Sequence, residues 1–129
     1  MTDAAKQWVF GKFKIADADA GVTEMNGLTC GELGLYQRSD CWSITHLNTG
    51  HAIFFLEAPL ATVIECADEI AALGDWSFAG LFGWRDMNPE LGRRVGKIKD
   101  KYGGHSIGAT RIPEGESYAA QIHAERKAA

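Results

Sequence analysis

Long apolar runs, phosphate-binding loops, internal repeats and paired cysteines are all missing from this 129-residue chain. Each absence removes a class of function. No apolar stretch approaches the roughly 18 residues that a membrane span needs, and the polar start MTDAAKQ lacks a signal-peptide pattern. The expectation is a cytoplasmic protein with no membrane partner. Cys30, Cys41 and Cys66 are odd in number and far apart, which argues against a disulfide framework and fits reduced, packed thiols. The fifteen glycines are dispersed and form neither GxGxxG nor GxxxxGK[ST], so no nucleotide cofactor is expected. Prolines number three, and no Pro/Ser-rich linker divides the chain, so a single domain is expected.

Catalytic and metal signatures are equally scarce. Cys30, Cys41, His46 and His51 lie within 22 residues, but their spacing matches no zinc ribbon or finger. Cys41 and His46 have opposite parity on one strand and point to opposite faces, as do Ser43 and His46. Neither pair can form a nucleophile–base couple or share an ion. Cys41 and His51 are expected on one face but about 20 Å apart along the hairpin. No metal, no cofactor and no catalytic residue is assigned, and the chain is read as leaning away from an enzyme. Pairings made only through the fold, such as Cys30 or Cys66 with His105, stay open.

What the chain does contain is periodic. QWVFGKFKI (7–15) reads as a strand, DADAG (17–21) as a loop, and Val22 to Thr29 as a weaker strand with bends at Gly27 and Gly31. ELGLYQR (32–38) and CWSITHL (41–47) flank a tight turn at Ser39-Asp40. Gly50 supplies the left-handed residue of the LNTG turn before HAIFFLE (51–57) returns antiparallel. Pairing Leu47 with His51 sets His46 against Ala52, Ile44 against Phe54 and Trp42 against Leu56, which makes one face almost wholly apolar.

A helix follows over 59–73: Pro59 opens it, Leu60, Val63, Ile64, Ala67, Ile70 and Ala71 recur at helical spacing, and Gly74 is expected to close it. A second helix over 89–102 starts at Asn88-Pro89, stops at Gly103-Gly104, and carries Leu91, Val95, Ile98 and Tyr102 on one stripe. HSIGATRIP is expected to add a short edge strand. The fold class is α+β: an antiparallel meander of four to five strands, one helix (59–73) packed on a face, and a second (89–102). Residues 1–113 form the domain, and 114–129 a flexible or partly helical tail.

Two features carry the functional expectation. DWSFAGLFGW (75–84) sets Trp76, Phe78, Phe82 and Trp84 on even positions, the parity of an extended strand. Such a row is either core or contact surface; the reading is part of each, with Trp84 the most exposed. The second feature is charge. Residues 1–90 hold thirteen acidic against five basic side chains, while 91–129 hold eight basic against four acidic. Glu65, Asp68 and Glu69 form a solvated acidic face on the first helix, and Arg93, Arg94, Lys97 and Lys101 a basic face on the second.

The function expected is a non-enzymatic accessory protein that binds a protein partner or another copy of itself. Trp76, Phe78, Phe82, Trp84, Trp42, Glu65, Asp68 and Glu69 are its contact residues. The alternative is nucleic-acid binding through Arg93, Arg94, Lys97, Lys101 and the aromatic row, stacking bases beside cations. A third reading is a small enzyme whose site assembles only in three dimensions. His46 ends an apolar face and reads as a structural histidine.

Overall fold

Alternating apolar and polar residues drive the first half of the chain into one antiparallel sheet. The computed structural model describes residues 7–17, 21–77, 89–105 and 113–128. Its strands are β1 (Val9–Asp17), β2 (Gly21–Cys30), β3 (Leu33–Arg38), β4 (Cys41–His46) and β5 (His51–Leu56). They follow one another across the sheet in chain order. Among the described residues three helices complete an α+β fold: α1 (Leu60–Ala71), α2 (Pro89–Tyr102) and α3 (Pro113–Ala128). No described helix is long and apolar enough to cross a membrane.

The main core lies between the sheet and the first two helices. Leu28, Leu33, Leu35, Ile44, Phe54 and Leu56 meet Val63, Cys66, Ala67 and Ile70 of α1 and Leu91, Val95 and Ile98 of α2. Pro59 caps α1, its carbonyl accepting from the amides of Thr62 and Val63 at 2.9 and 3.1 Å. The helix does not wait for Gly74 to stop. It closes at Ala72, whose amide donates to Asp68 O at 3.1 Å, in an ordinary right-handed conformation. At the end of α2, Gly103 takes φ 75° and Gly104 N–H reaches back to Lys99 O at 2.8 Å. That is the glycine stop expected there.

The β4–β5 hairpin keeps half of its expected register. Ile44 faces Phe54 and Trp42 faces Leu56, but Thr45 faces Ala52 and His46 faces His51. Ile53 is an inserted residue: a bulge shifts the ladder by one between Ile44 and Thr45. The pairs His46–Ala52 and Leu47–His51 therefore do not form. His51 also moves to the face opposite Cys41. The physical reason is that IFFL is apolar on both parities, so burial alone does not choose between the two registers.

The β1–β2 hairpin is bent. Only Leu28–Cys30 of β2 pair with β3, and beyond them the hairpin continues without that neighbour. At the bend Gly11 and Gly27 face each other, and a Cβ on Gly27 would sit 2.0 Å from Leu35 O. The distal half folds over the second face of the sheet. There Phe13 and Ile15 join Tyr36 and Leu47 in a smaller core, with the rings of Phe13 and Tyr36 6.1 Å apart.

The segment read as a tail is largely α3, docked on β1 and β2. Ile122 is its buried anchor, beside Gly50. Polar contacts do much of the rest. Lys14 pairs with Glu125, and Arg126 donates to Asn48 Oδ1 at 2.7 Å and to Glu32 Oε1 at 3.0 Å.

Candidate functional site

Among the described residues, the large apolar side chains left in solvent are on β1. Phe10 is 88% exposed and Val9 54% exposed, while neighbouring Trp8 packs against the main core and donates Nε1–H to Asp68 Oδ1 at 3.0 Å. Among the described residues β1 is an edge strand, paired with β2 on one side only. The orientation of its free side follows from one bond, in which Ala16 N–H points away from β2 and donates to Gly50 O at 3.0 Å. Backbone groups of successive strand residues alternate in direction, and the β1–β2 register runs unbroken from Val9 to Asp17. Phe10, Lys12 and Lys14 therefore turn their N–H and C=O outward with Ala16. Among the described residues, Ala16 is the only one of these four with an outward backbone partner.

The two halves of this edge differ. The C-terminal half is covered, by Gly50 at Ala16 and by Glu125 of α3 at Lys14. The N-terminal half, around Phe10 and Lys12, has no such cover among the described residues. The far edge of the sheet has its own cover. Phe55 of β5 and His105 exchange both backbone hydrogen bonds at 2.8 Å, and their rings stack with centroids 6.2 Å apart. His105 is thus a one-residue continuation of the sheet; residues 106–112 of the expected edge strand lie outside the described residues.

The aromatic row divides. Trp76 is 4% exposed, belongs to the main core, and donates Nε1–H to Ile70 O at 2.9 Å. It has no surface to give a partner. Trp42 is half-buried against the same core. Phe78, Phe82 and Trp84 lie outside the described residues.

The acidic face serves the fold. Asp68 holds the indole of Trp8, Glu69 takes Lys101 Nζ at 3.0 Å on both oxygens, and the Tyr102 hydroxyl donates to Glu69 and, at 3.1 Å, to Glu65. The Tyr102 and Lys101 hydrogen bonds hold the Glu69 carboxyl below the usual carboxylate range, and Glu69 in turn pushes the Tyr102 phenol up. These contacts clamp α1 to α2. The basic face is partly spent in the same way: Arg93 and Arg94 share Glu90, and Lys101 is on Glu69. Of the four cations, Lys97 alone has no ion pair among the described residues.

His46 sits at the other end of the sheet, 1% exposed. Its Nε2 lies 2.7 Å from Trp76 O, an acceptor only, so Nε2 carries the proton and donates. Nδ1 then accepts from the Thr49 hydroxyl at 2.9 Å, and Thr49 Oγ1 receives the amide of His51 at 3.3 Å. Asn48 adds a donation to Ser77 O at 2.9 Å. The LNTG turn is thereby tied to the chain after α1 and, through Arg126, to α3. Burial lowers the His46 imidazole to about 4, against the pull of the Trp76 carbonyl, with His51, Arg126 and His123 pushing the same way as burial. A neutral histidine with both nitrogens engaged is a structural strut, not a free base.

The fold also brings a thiol and an imidazole together. Cys41 Sγ lies 3.8 Å from His105 Nε2, near the surface. Sequence parity excludes Cys41 with His46 but is silent on His105, 64 residues away and brought in by its bridge to Phe55. No group of three or more metal-binding side chains occurs among the described residues. A shallow groove of about 170 Å³, lined by Leu73, Gly74, Asp75, Glu90, Leu91 and Arg94, is smaller than ordinary small-molecule clefts of roughly 300–1,000 Å³. Comparison with protein-family models, curated proteins and solved structures returned no match.

Proposed function

We propose that this chain is a non-enzymatic protein-binding module whose contact surface is the open N-terminal half of β1. The observation that carries the proposal is Phe10, exposed beside outward-facing backbone donors and acceptors on an edge strand. Burying a phenylalanine contributes roughly 1.5–3 kcal/mol, which Phe10 forgoes in the isolated chain. Natural edges are commonly blunted by charge or cover, as at Lys14 and Ala16 here. Leaving the Phe10 end uncovered suits addition of a strand from a protein partner or from another copy, with backbone bonds supplying affinity and Phe10 a side-chain anchor. The contact residues are Val9, Phe10 and Lys12, in place of the buried Trp76.

Selection from a displayed library of extended peptides tests this reading. Peptides with alternating apolar residues are expected to enrich on the native chain, and to lose binding to Lys12→Pro, which removes one outward amide while leaving the β1–β2 ladder intact. Equal binding to both proteins, or no enrichment, would exclude the edge as a strand acceptor.

A second reading, a small thiol-dependent enzyme, rests on the Cys41–His105 pair. In such an enzyme Cys41 sulfur would attack an activated ester, His105 would take the thiol proton, and the alcohol would leave. A nitrophenyl ester should then give a burst of nitrophenol that Cys41→Ser and His105→Gln both abolish. A burst unchanged in either variant, or none at all, rejects it.

A further inference from the structure

Resting on the strand-addition reading, we infer that the occupant of the β1 edge is β1 of a second copy, paired antiparallel about a two-fold axis through Phe10. The open segment is short, and its own chemistry selects the register. Outward backbone groups fall on even residues, so only even residues of two copies can form hydrogen-bonded pairs. An axis at Phe10 matches Phe10 with Phe10 of the second copy, and Trp8 with Lys12 on either side. These three pairs exchange about six backbone hydrogen bonds.

The side chains fit the same axis. Phe10 pairs with Leu28 of β2, so it stands on the face that carries α1, and two Phe10 rings would meet across the axis. Cross-strand aromatic pairs are among the favourable ones. Each Lys12 ammonium would lie beside the indole of Trp8 from the other copy, a favourable cation–aromatic arrangement. The two registers displaced toward the C-terminus are worse. An axis at Lys12 opposes two ammonium groups directly. An axis at Gly11 runs Trp8 against Lys14, which is already engaged by Glu125 of α3.

Charge does not oppose the pairing. Lys12 lies 3.9 Å from Glu24 and Lys14 is paired with Glu125, so the edge is locally close to neutral despite its two lysines. Five residues of strand form a small interface, below the usual 1,200–2,000 Å². The dimer should therefore be reversible, with a dissociation constant on the order of micromolar.

Sedimentation equilibrium of the full chain from about 1 to about 200 µM tests the inference across that range. The expected result is a monomer at the dilute end and a dimer at the concentrated end. Phe10→Lys, which sets two cations on the axis, and Lys12→Pro should each weaken the dimer roughly tenfold or more. Near-UV circular dichroism checks that both variants stay folded; Phe10 and Lys12 are exposed, so both should. A chain that stays monomeric throughout overturns the second copy as occupant, while the peptide selection still decides the strand-acceptor reading. A dimer unchanged in both folded variants overturns the inference as well, because self-association then uses another surface, and the peptide selection again decides the strand-acceptor reading.

Discussion

The amide of Ala16 donates to the carbonyl of Gly50 at 3.0 Å, closing the distal end of β1 onto the β4–β5 turn. Two consequences follow. The bond covers the last outward amide of an edge strand, and it sets the phase of all the others. Phe10 and Lys12, six and four residues before Ala16, face the same way with nothing across from them among the described residues. The molecule thus has a protected half and an open half on a single strand.

Stability should depend on pH through His46. Its folded value is about 4, against an ordinary 6.5, so between those values the unfolded chain binds the proton and the folded chain does not. The stabilisation is complete above about pH 6.5 and is lost as pH falls toward 4, by on the order of 3 kcal/mol in total. Urea midpoints at pH 7.5 and 4.5 should differ accordingly. The difference should shrink in His46→Gln, in a protein already weakened by the disturbed contacts to Thr49 and Trp76 O. Identical slopes with pH in both proteins would remove His46 from the explanation.

The paired glycines at the β1–β2 bend should respond unequally to alanine. At Gly27 the new methyl would lie 2.0 Å from Leu35 O, and a backbone atom cannot swing aside as a side-chain tip can. A loss of about 3 kcal/mol or more is expected, because β2 must part from β3. At Gly11 nothing lies within 4 Å, and Gly11→Ala should stay within about 0.5 kcal/mol of the native protein. Thermal melts of the two variants decide it. Equal effects would mean that the hairpin is not bent against Leu35 in solution.

Much of this architecture was legible in the chain, and the failures have physical causes. The five strands, both early helices and the Gly103 stop follow from periodicity and turn chemistry. The Ile53 bulge does not, because apolar residues on both parities of IFFL leave two registers with similar burial. The helical docking of α3 escaped for a different reason. Its buried side chain among those described is Ile122, and its clasp is made by Glu125 and Arg126 to residues far away in sequence. Trp76 was legible as half of an open choice, core or surface; only its bonds to Ile70 and His46 decide for core. The open edge was missed altogether, since strand pattern alone does not tell an edge from a centre.

Cysteine reactivity should separate by position. Cys66 has no exposed surface, and burial, aided by Glu69, pushes its thiol up to about 12, so it should resist a thiol reagent until the protein unfolds. Cys41, near the surface beside His105, should be modified in the native chain. Mass spectrometry of labelled peptides reads both. Equal labelling rates would show that the α1 side of the core opens readily.

Nucleic-acid binding through α2 should be weak. Arg93, Arg94 and Lys101 are each paired within the chain, and Trp76 faces inward, so the cations lack that ring as a stacking surface. Single-stranded oligonucleotides are expected to run unretarded with this protein even at about 50 mM salt. A shift that vanishes with salt and is lost in Lys97→Ala would restore the alternative.

The most direct test of the β1 edge is amide hydrogen exchange followed by NMR at low and high protein concentration. Gly11 and Phe13, whose amides turn toward β2, should be protected at both. Phe10 and Lys12 should exchange freely in dilute solution and become protected as concentration rises, because a second strand has taken their outward amides. Fast exchange of Phe10 and Lys12 at every concentration would contradict self-pairing at this edge.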